Sequence, residues 1–459
     1  MLSTKIVATI GPASASLATL CSLLQAGINV TRLNFSHGTH PEHERLIKLI
    51  RAASAKTNLD AAILLDTKGP EIRTGSLLDK QAITLKKDSL VRLTEHSVPG
   101  TADVISISVK GTKKIAQIGT PILLDEGAIE LKVNDIGEDE LLCQVTYGGV
   151  LGEHKSVNIP GAEQILPSLA KQDLDDITFG IQAKIDFIAA SFVRSKDDVL
   201  AIKNFLTEQA AADIKVIAKI ESRLGVANLQ DILKVADGVM VARGDLGVEI
   251  PFAEVPMVQK QIITSARAAG KCVITATEML DSMQHHVRPS RAEASDVVNA
   301  VLDGTDAVML SGETATGNYP VEATKAMGAL VYQGEQALLK NQTAAVTDHS
   351  LATELGKAAQ ALAENVQAKA LLLVDPTART LQNLTTERPL VPLIAITANP
   401  ALKRQAYLVF GLFTCLVTSE EPDWLNQGLT AAENSGLLKS NDLVVTVNFN
   451  TLALKVRII

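Results

Sequence analysis

The sequence predicts an α/β protein: a (β/α)8, or TIM, barrel interrupted by a small all-β domain and followed by an open α/β domain. Three observations carry this. Eight short apolar runs alternate with amphipathic stretches over the first and middle parts of the chain. A helix-poor stretch separates the third run from the fourth, and strand–helix alternation restarts near residue 340. The 459 residues suit about three domains of roughly 100–200 residues each.

The eight runs are KIVATIG (5–11), INVTRLNFSHG (28–38), AAILLDTKG (61–69), IDFIAASFVR (185–194), IKVIAKIES (214–222), DGVMVARGDLG (237–247), CVITATEML (272–280) and DAVMLSGETA (306–315). Continuous apolar runs read as strands buried on both faces, hence a parallel sheet. Helical stretches such as LATLCSLLQAG and PEHERLIKLIRAAS lie between them, and eight βα units make a closed barrel over 1–69 and 169–335. Residues 70–168 contain short strands, SLVRLT, DVISISV, PILLDEGAIELKV and LLCQVTY, broken by Gly, Pro and Asp. They read as an inserted β-barrel domain, placed to act as a lid because loops after barrel strands face the catalytic end. Beyond residue 340, the runs ALLLVD, PLIAIT, FTCLVT and DLVVTV, each separated by a helical stretch, give a C-terminal α/β domain over 340–459.

Composition bounds the function. Lys plus Arg is 43 and Asp plus Glu is 51, a net charge of −8. This mild acidity argues against a nucleic-acid binder. Hydrophobic residues at 46% and charged residues at 20% exclude a disordered chain. Cys21, Cys143, Cys272 and Cys415 form no CxxC pair, which excludes a cysteine zinc site and fits a reducing cytoplasm. No apolar run approaches the ~18–20 residues of a membrane span, and the N-terminal MLSTKIVATIGPAS is too short for a signal peptide.

Barrel enzymes build their chemistry at the strand C-termini. There the second run carries Arg32, Asn34, Ser36 and His37, and the third Asp66, Thr67 and Lys68. The fifth carries Lys219 and Glu221, and the sixth Arg243, Gly244 and Asp245. The seventh offers Thr275, Thr277 and Glu278, and the eighth Ser311, Glu313 and Thr314. Glu221 and Asp245, on adjacent strands, provide two carboxylates for Mg2+ or Mn2+. Arg32 and Lys219 suit a phosphate or carboxylate. Asn34, Ser36, Asp66 and Thr67 combine neutral oxygens with one carboxylate, a donor set for a monovalent cation. Gly244 permits close approach of a ligand to the backbone. Plainer readings stand beside these: Asp245 as a helix N-cap, Glu313 paired structurally with an arginine, His37 as a loop or cap residue, Lys68 as a solvated charge, and Met279 and Met283 as core. The residues alone lead to a metal-assisted barrel enzyme acting on a small phosphorylated acid.

Read in order, the strings TIGPAS (9–14), RLNFSHG (32–38), DTKGPEIR (66–73), VNIPG (157–161), KIES (219–222), VARGDLGVEIP (241–251), TATEML (275–280) and RPSRAEASDVVNAVLDGTDAVMLSGETATGNYP (288–320) resemble the pyruvate kinase family. The resemblance implies phosphoryl transfer from phosphoenolpyruvate to ADP, with Mg2+ (or Mn2+) and K+, in a cytoplasmic homotetramer. By the same resemblance, Glu221 and Asp245 match the divalent-metal ligands, and Asn34, Ser36, Asp66 and the Thr67 carbonyl the K+ site. Glu71 matches the acidic residue of K+-dependent members. Arg32 and Lys219 match the phosphate contacts, with Lys219 stabilising the transferring group. Gly244, Asp245 and Thr277 match the substrate-carboxylate pocket, and Thr277 and Ser311 the region that delivers a proton through water. Pro12, Asn34, His37, Arg73 and Lys155 match nucleotide contacts. Two departures stand out. After Glu221 the family usually continues Asn-x-Glu-Gly, where this chain has Ser222, Arg223, Leu224 and Gly225. The C-terminal phosphate loop for a sugar-phosphate effector is replaced by VDPTARTLQNL (374–384), which keeps Thr377 and Arg379 but lacks cradle-forming glycines, so weak or absent activation by fructose 1,6-bisphosphate is expected. Two other functions compete with this one. A barrel lyase acting on phosphoenolpyruvate needs no ADP site, so Arg73, Lys155 and the insert disfavour it. A regulatory protein on an inactive scaffold is disfavoured by the intact rim.

Overall fold

The computed structural model describes residues 2–114, 116–159, 166–338, 351–374, 376, 380–381, 384–385, 388–389, 391–416, 424–449 and 451–459. Each of the eight apolar runs contains a strand: Lys5–Thr9, Val30–Asn34, Ala62–Asp66, Phe187–Ala190, Lys215–Ile220, Gly238–Ala242, Cys272–Ala276 and Ala307–Leu310. They pair in parallel in chain order, and the first closes the barrel on the eighth, with Lys5 opposite Ala307. The strands are apolar at nearly every position because both faces are covered. Val7, Val30, Leu64, Ile217, Met240 and Ile274 form one cluster inside the barrel, while Ile6, Ile63, Val216 and Val239 pack outward on the helices. Met279 and Met283 are fully buried in that outer core.

The insert leaves the barrel after the third strand. Gly69 turns the chain at φ +70, where a Cβ would lie 2.8 Å from the Ser191 Cβ, and its N–H donates to Asp173 Oδ1 at 3.0 Å. Beyond it, six strands pair in the order Val157–Asn158, Pro121–Leu124, Ile129–Ile136, Glu140–Tyr147, Leu90–Thr94 and Val104–Ser106. A second sheet pairs Ile83–Leu85 with Gly149–Leu151. Among the described residues the insert thus holds one six-stranded and one two-stranded sheet. Leu93, Ile122, Leu131, Leu141 and Val145 form a core separate from the barrel's.

At the C-terminal end, Leu412–Leu416, Leu393–Thr397, Ala370–Val374 and Leu443–Asn448 lie parallel in that order. A fifth strand, Ala453–Ile458, adds antiparallel to the edge. This sheet docks beneath the barrel, at the strand N-termini. Lys5 Nζ donates to the Leu412 carbonyl at 2.8 Å, the Gly411 N–H to the Ser3 carbonyl at 2.9 Å, and Arg404 pairs with Asp186. Thr377 and Arg379 lie outside the described residues. Among the described residues no helix is long and apolar enough to cross a membrane.

Candidate active site

Period-two alternation builds the barrel mouth. Inside the barrel sit Val7, Val30, Leu64, Ala189 and Ile217. Two residues further along each strand come Thr9, Arg32, Asp66, Ser191 and Lys219, so these polar side chains form the next layer up. They are bonded to one another. Arg32 Nε donates to Asp66 Oδ2 at 2.5 Å and its Nη1 to Thr9 Oγ1 at 3.0 Å. Lys219 Nζ lies 3.2 Å from Asp66 Oδ1 and 2.8 Å from Glu221 Oε1, and donates to Ser191 Oγ at 2.8 Å. The Ser191 hydroxyl in turn donates to the Thr67 carbonyl at 2.6 Å. The Phe192 N–H holds Glu221 Oε2 at 2.6 Å.

Burial sets the protonation of this cluster. Desolvation alone would raise the Asp66 carboxyl, but the Arg32 and Lys219 charges outweigh it and hold Asp66 below the usual range. Desolvation opposes the Lys219 ammonium, and Asp66 and Glu221 more than offset it, raising its pKa. Lys219 is therefore a fixed positive charge. Glu221 is pushed up to about 7, first by burial and further by the Asp245 charge, against the pull of Lys219.

The sixth and seventh strands meet beside this cluster. Thr277 and Glu278 follow the seventh strand at φ 62 and φ 54, a left-handed conformation costly for a β-branched threonine. Arg243 holds it. Its Nη2 donates to the Thr277 carbonyl at 2.6 Å, its Nε to the Ala276 carbonyl at 3.1 Å, and its Nη1 to both Asp296 oxygens at 2.7 Å. The Gly244 N–H donates to Thr277 Oγ1 at 2.9 Å. Asp245 lies not on the strand but in a short helix, Arg243–Glu249, one residue past the sixth strand; the cap position belongs to Ala242, so Asp245 is no N-cap. Glu71 is raised first by burial, and the exposed Asp245 carboxylate adds repulsion to Glu71 as it does to Glu221.

The remaining predicted residues separate into two kinds. Asn34 is the register partner of Asp66 across the second and third strands, and its Oδ1 accepts the Ser36 N–H at 3.1 Å. Ser311 Oγ is buried without a hydrogen-bond partner. Among the described residues Glu313 pairs with no arginine: its carboxylate accepts the N–H groups of Leu280 at 2.9 Å and Ser311 at 2.7 Å, which staples the seventh and eighth loops together. Ser222 caps the helix Arg223–Ala227. Pro12 and His37 are exposed on the loops after the first and second strands. Arg73 and Lys155 are neighbours on the insert, joined by the Thr74 N–H to the Lys155 carbonyl at 2.8 Å. Arg73 is paired with Glu71 at 2.7 Å and Lys155 with Asp125 at 2.9 Å. A cavity of about 90 Å³ between insert and barrel mouth is lined by Glu71, Asn158, Phe192, Ser222, Asp245 and Glu249. Sequence reasoning gave Arg243 no role and missed Ser191. The latter had a signal, since it is the polar residue directly after the apolar stretch FIAA of the fourth run.

The donor sets fit the implied ions. Glu221 is fully buried, its Oε1 paired with the Lys219 ammonium at 2.8 Å and its charge repelled by Asp245, a repulsion that a divalent cation between the two carboxylates would relieve. Among the described residues no group of three or more His, Cys, Asp or Glu side chains could hold a metal ion, so two carboxylates with substrate oxygens are the available donor set. Asn34 Oδ1, Ser36 Oγ, the Thr67 carbonyl and Asp66 offer mainly neutral oxygens on neighbouring strand ends, suited to a monovalent cation.

The chain is similar to known proteins over nearly its whole length. Residues 1–324 match the family model for the pyruvate kinase barrel domain, and residues 353–451 that for the pyruvate kinase alpha/beta domain. The chain is 48% identical over 454 residues to the pyruvate kinase of Geobacillus stearothermophilus, covering 96% of this chain and 76% of that one. It is 46% identical to that of Bacillus licheniformis, covering 97% and 77%. The crystal structure of a pyruvate kinase from Cryptosporidium parvum superposes with a TM-score of 0.92 at 35% identity, covering 100% of this chain and 96% of that one. The chain thus belongs to the pyruvate kinase family, and it is a phosphotransferase that makes pyruvate and ATP from phosphoenolpyruvate and ADP in the last step of glycolysis.

Proposed function

We propose that the Arg32–Asp66–Lys219–Glu221 cluster is the phosphoryl-transfer centre. The bond between the phosphorus and the enol oxygen of phosphoenolpyruvate breaks, a bond to the terminal phosphate oxygen of ADP forms, and the enolate of pyruvate leaves. Negative charge spreads over the transferring oxygens, so catalysis is chiefly positioning and electrostatics. Arg32, oriented by Asp66 and Thr9, binds the phosphate as a fork. Lys219 keeps its proton and acts as a fixed charge on the transferring group and the enolate oxygen, not as the acid. The Gly244 backbone, Asp245 and Thr277 form the pocket for the substrate carboxylate, and Arg243 positions Thr277. The enolate carbon takes its proton from water near Thr277 and Ser311, whose buried hydroxyl has no other partner.

Glu221 and Asp245 would hold Mg2+ or Mn2+, which supplies charge neutralisation at the phosphoryl and enolate oxygens. Asn34, Ser36, Asp66 and the Thr67 carbonyl would hold K+; Glu71 is the acidic residue that goes with K+ dependence. Pro12, Asn34, His37, Arg73 and Lys155 contact the nucleotide, Arg73 and Lys155 exchanging their present carboxylate partners for phosphate. The insert closes over the mouth and excludes water. We assign the barrel to 1–69 and 169–335, the lid to 70–168 and the C-terminal domain to 340–459, in a cytoplasmic homotetramer.

The observation that carries this reading is the Lys219 ammonium, buried and flanked by two carboxylates at the barrel mouth. Replacing it tests the reading. Lys219→Met should lower kcat by about 10³, roughly 4 kcal/mol of barrier, in a coupled pyruvate assay, with a much smaller change in KM for ADP. A loss within about tenfold would remove Lys219 from the chemistry.

A further inference from the structure

On the face of the barrel opposite the charge cluster, a cavity of about 250 Å³ lies between the strand N-termini and the C-terminal domain. Its walls are largely apolar: Phe187 and Ile217 come from the barrel, and Leu381, Leu402 and Leu412 from below. Its charges are not balanced. Lys215, Arg267, Lys271 and Arg388 border it, against Asp237 and Asp306.

Both carboxylates are already committed. Asp306 pairs with Arg388 at 3.1 Å and accepts the N–H groups of Val273 at 2.9 Å and Phe410 at 3.3 Å. Asp237 pairs with Lys203 at 2.9 Å and accepts the Val216 N–H at 2.9 Å. Lys215, Arg267 and Lys271 have no ion-pair partner among the described residues, and Arg267 Nε is buried with no hydrogen bond. Burial lowers the Lys271 pKa, the mark of an under-compensated cation. Desolvated cations without anions are costly, and an anion of suitable size removes the cost.

We propose that this cavity binds a small organic anion, a phosphate or carboxylate on a short carbon body, held by Lys215, Arg267 and Lys271 with its carbons against the apolar walls. The site is separate from the catalytic mouth but not remote from it in structure. Lys215 opens the strand Lys215–Ile220 that carries Lys219 near its other end, so an occupant bears on the element that positions the catalytic charge.

The test uses the full chain with saturating phosphoenolpyruvate and Mg2+ and no nucleotide, so that the catalytic mouth is already filled. Glycerol 3-phosphate and succinate, titrated separately by calorimetry, compare the two head groups on bodies of similar size. At least one should bind saturably. The double variant Lys215→Met/Lys271→Met should weaken that binding at least tenfold, while Lys215→Arg/Lys271→Arg should keep it within about threefold. Binding of only one ligand supports the site and identifies its head group. No saturable binding of either ligand, or equal binding to the Met double variant, overturns the proposal. Unchanged kcat in both double variants confirms that they fold.

Discussion

Thr277 shows how a single residue is held in a conformation it would not choose. A β-branched residue at φ 62 costs about 1–3 kcal/mol and persists only where its surroundings enforce it. The enforcement is the Arg243 guanidinium, which grips two consecutive carbonyls and is itself fixed by Asp296. A lysine has one point of donation and no planar fork, so Arg243→Lys keeps the charge and loses the grip. It should raise KM for phosphoenolpyruvate and cut kcat/KM by about 10–100-fold, with KM for ADP nearly unchanged. Equal effects on both substrates would mean that Arg243 merely supports the fold. Arg243 and Thr277 were visible in the sequence as rim residues, but their relation was not, because nothing in the string TATEML announces two successive left-handed residues. Ser191 was legible in principle: the alternation that yields Arg32, Asp66 and Lys219 also yields Ser191.

At the scale of elements, short apolar runs were the most readable signal, and turn chemistry the least. The eight barrel strands and most of the insert's strands follow from apolar runs. The antiparallel edge strand Ala453–Ile458 did not, although Leu454, Val456 and Ile458 alternate. The turn before it uses Leu452 at φ 50 where glycine or asparagine would mark a hairpin. The hinge at Gly69 has the opposite character, being legible as glycine but not as a contact. A methyl there would press on Ser191, the residue that holds Lys219. Gly69→Ala should therefore lower the thermal midpoint and also reduce kcat, by about tenfold. Gly436→Ala is the control. Its φ of +73 imposes similar backbone strain with nothing within 4 Å of the added carbon, so stability should fall with kcat unchanged. If both variants retained full kcat, the link from hinge to catalytic lysine would fail.

The whole molecule is held together beneath the barrel, where Lys5 joins regions 407 positions apart in the chain. From sequence, Lys5 is only a charge flanking an apolar run; its burial depends on a sheet that the local pattern cannot show. Its Nζ sits 4.1 Å from the centre of the Phe413 ring and bonds the Leu412 carbonyl. Burial lowers its pKa to about 7, against the opposing pull of Glu335 and Asp306. The sign of the consequence follows from proton counting. Between pH 7 and about 10.5 the unfolded chain holds the Lys5 proton and the folded chain releases it, so this residue makes stability rise with pH across that window. Below pH 7 both states are protonated and the folded protein bears the full cost of a buried charge. Lys5→Met removes that dependence while keeping most of the side chain's volume. The thermal midpoint of the unmodified protein minus that of the variant, measured at pH 6, 7.5 and 9, should shift in favour of the unmodified protein as pH rises. A difference that stayed constant would mean that Lys5 keeps its proton in the folded state, and that the junction between barrel and C-terminal sheet is wetter than its geometry indicates.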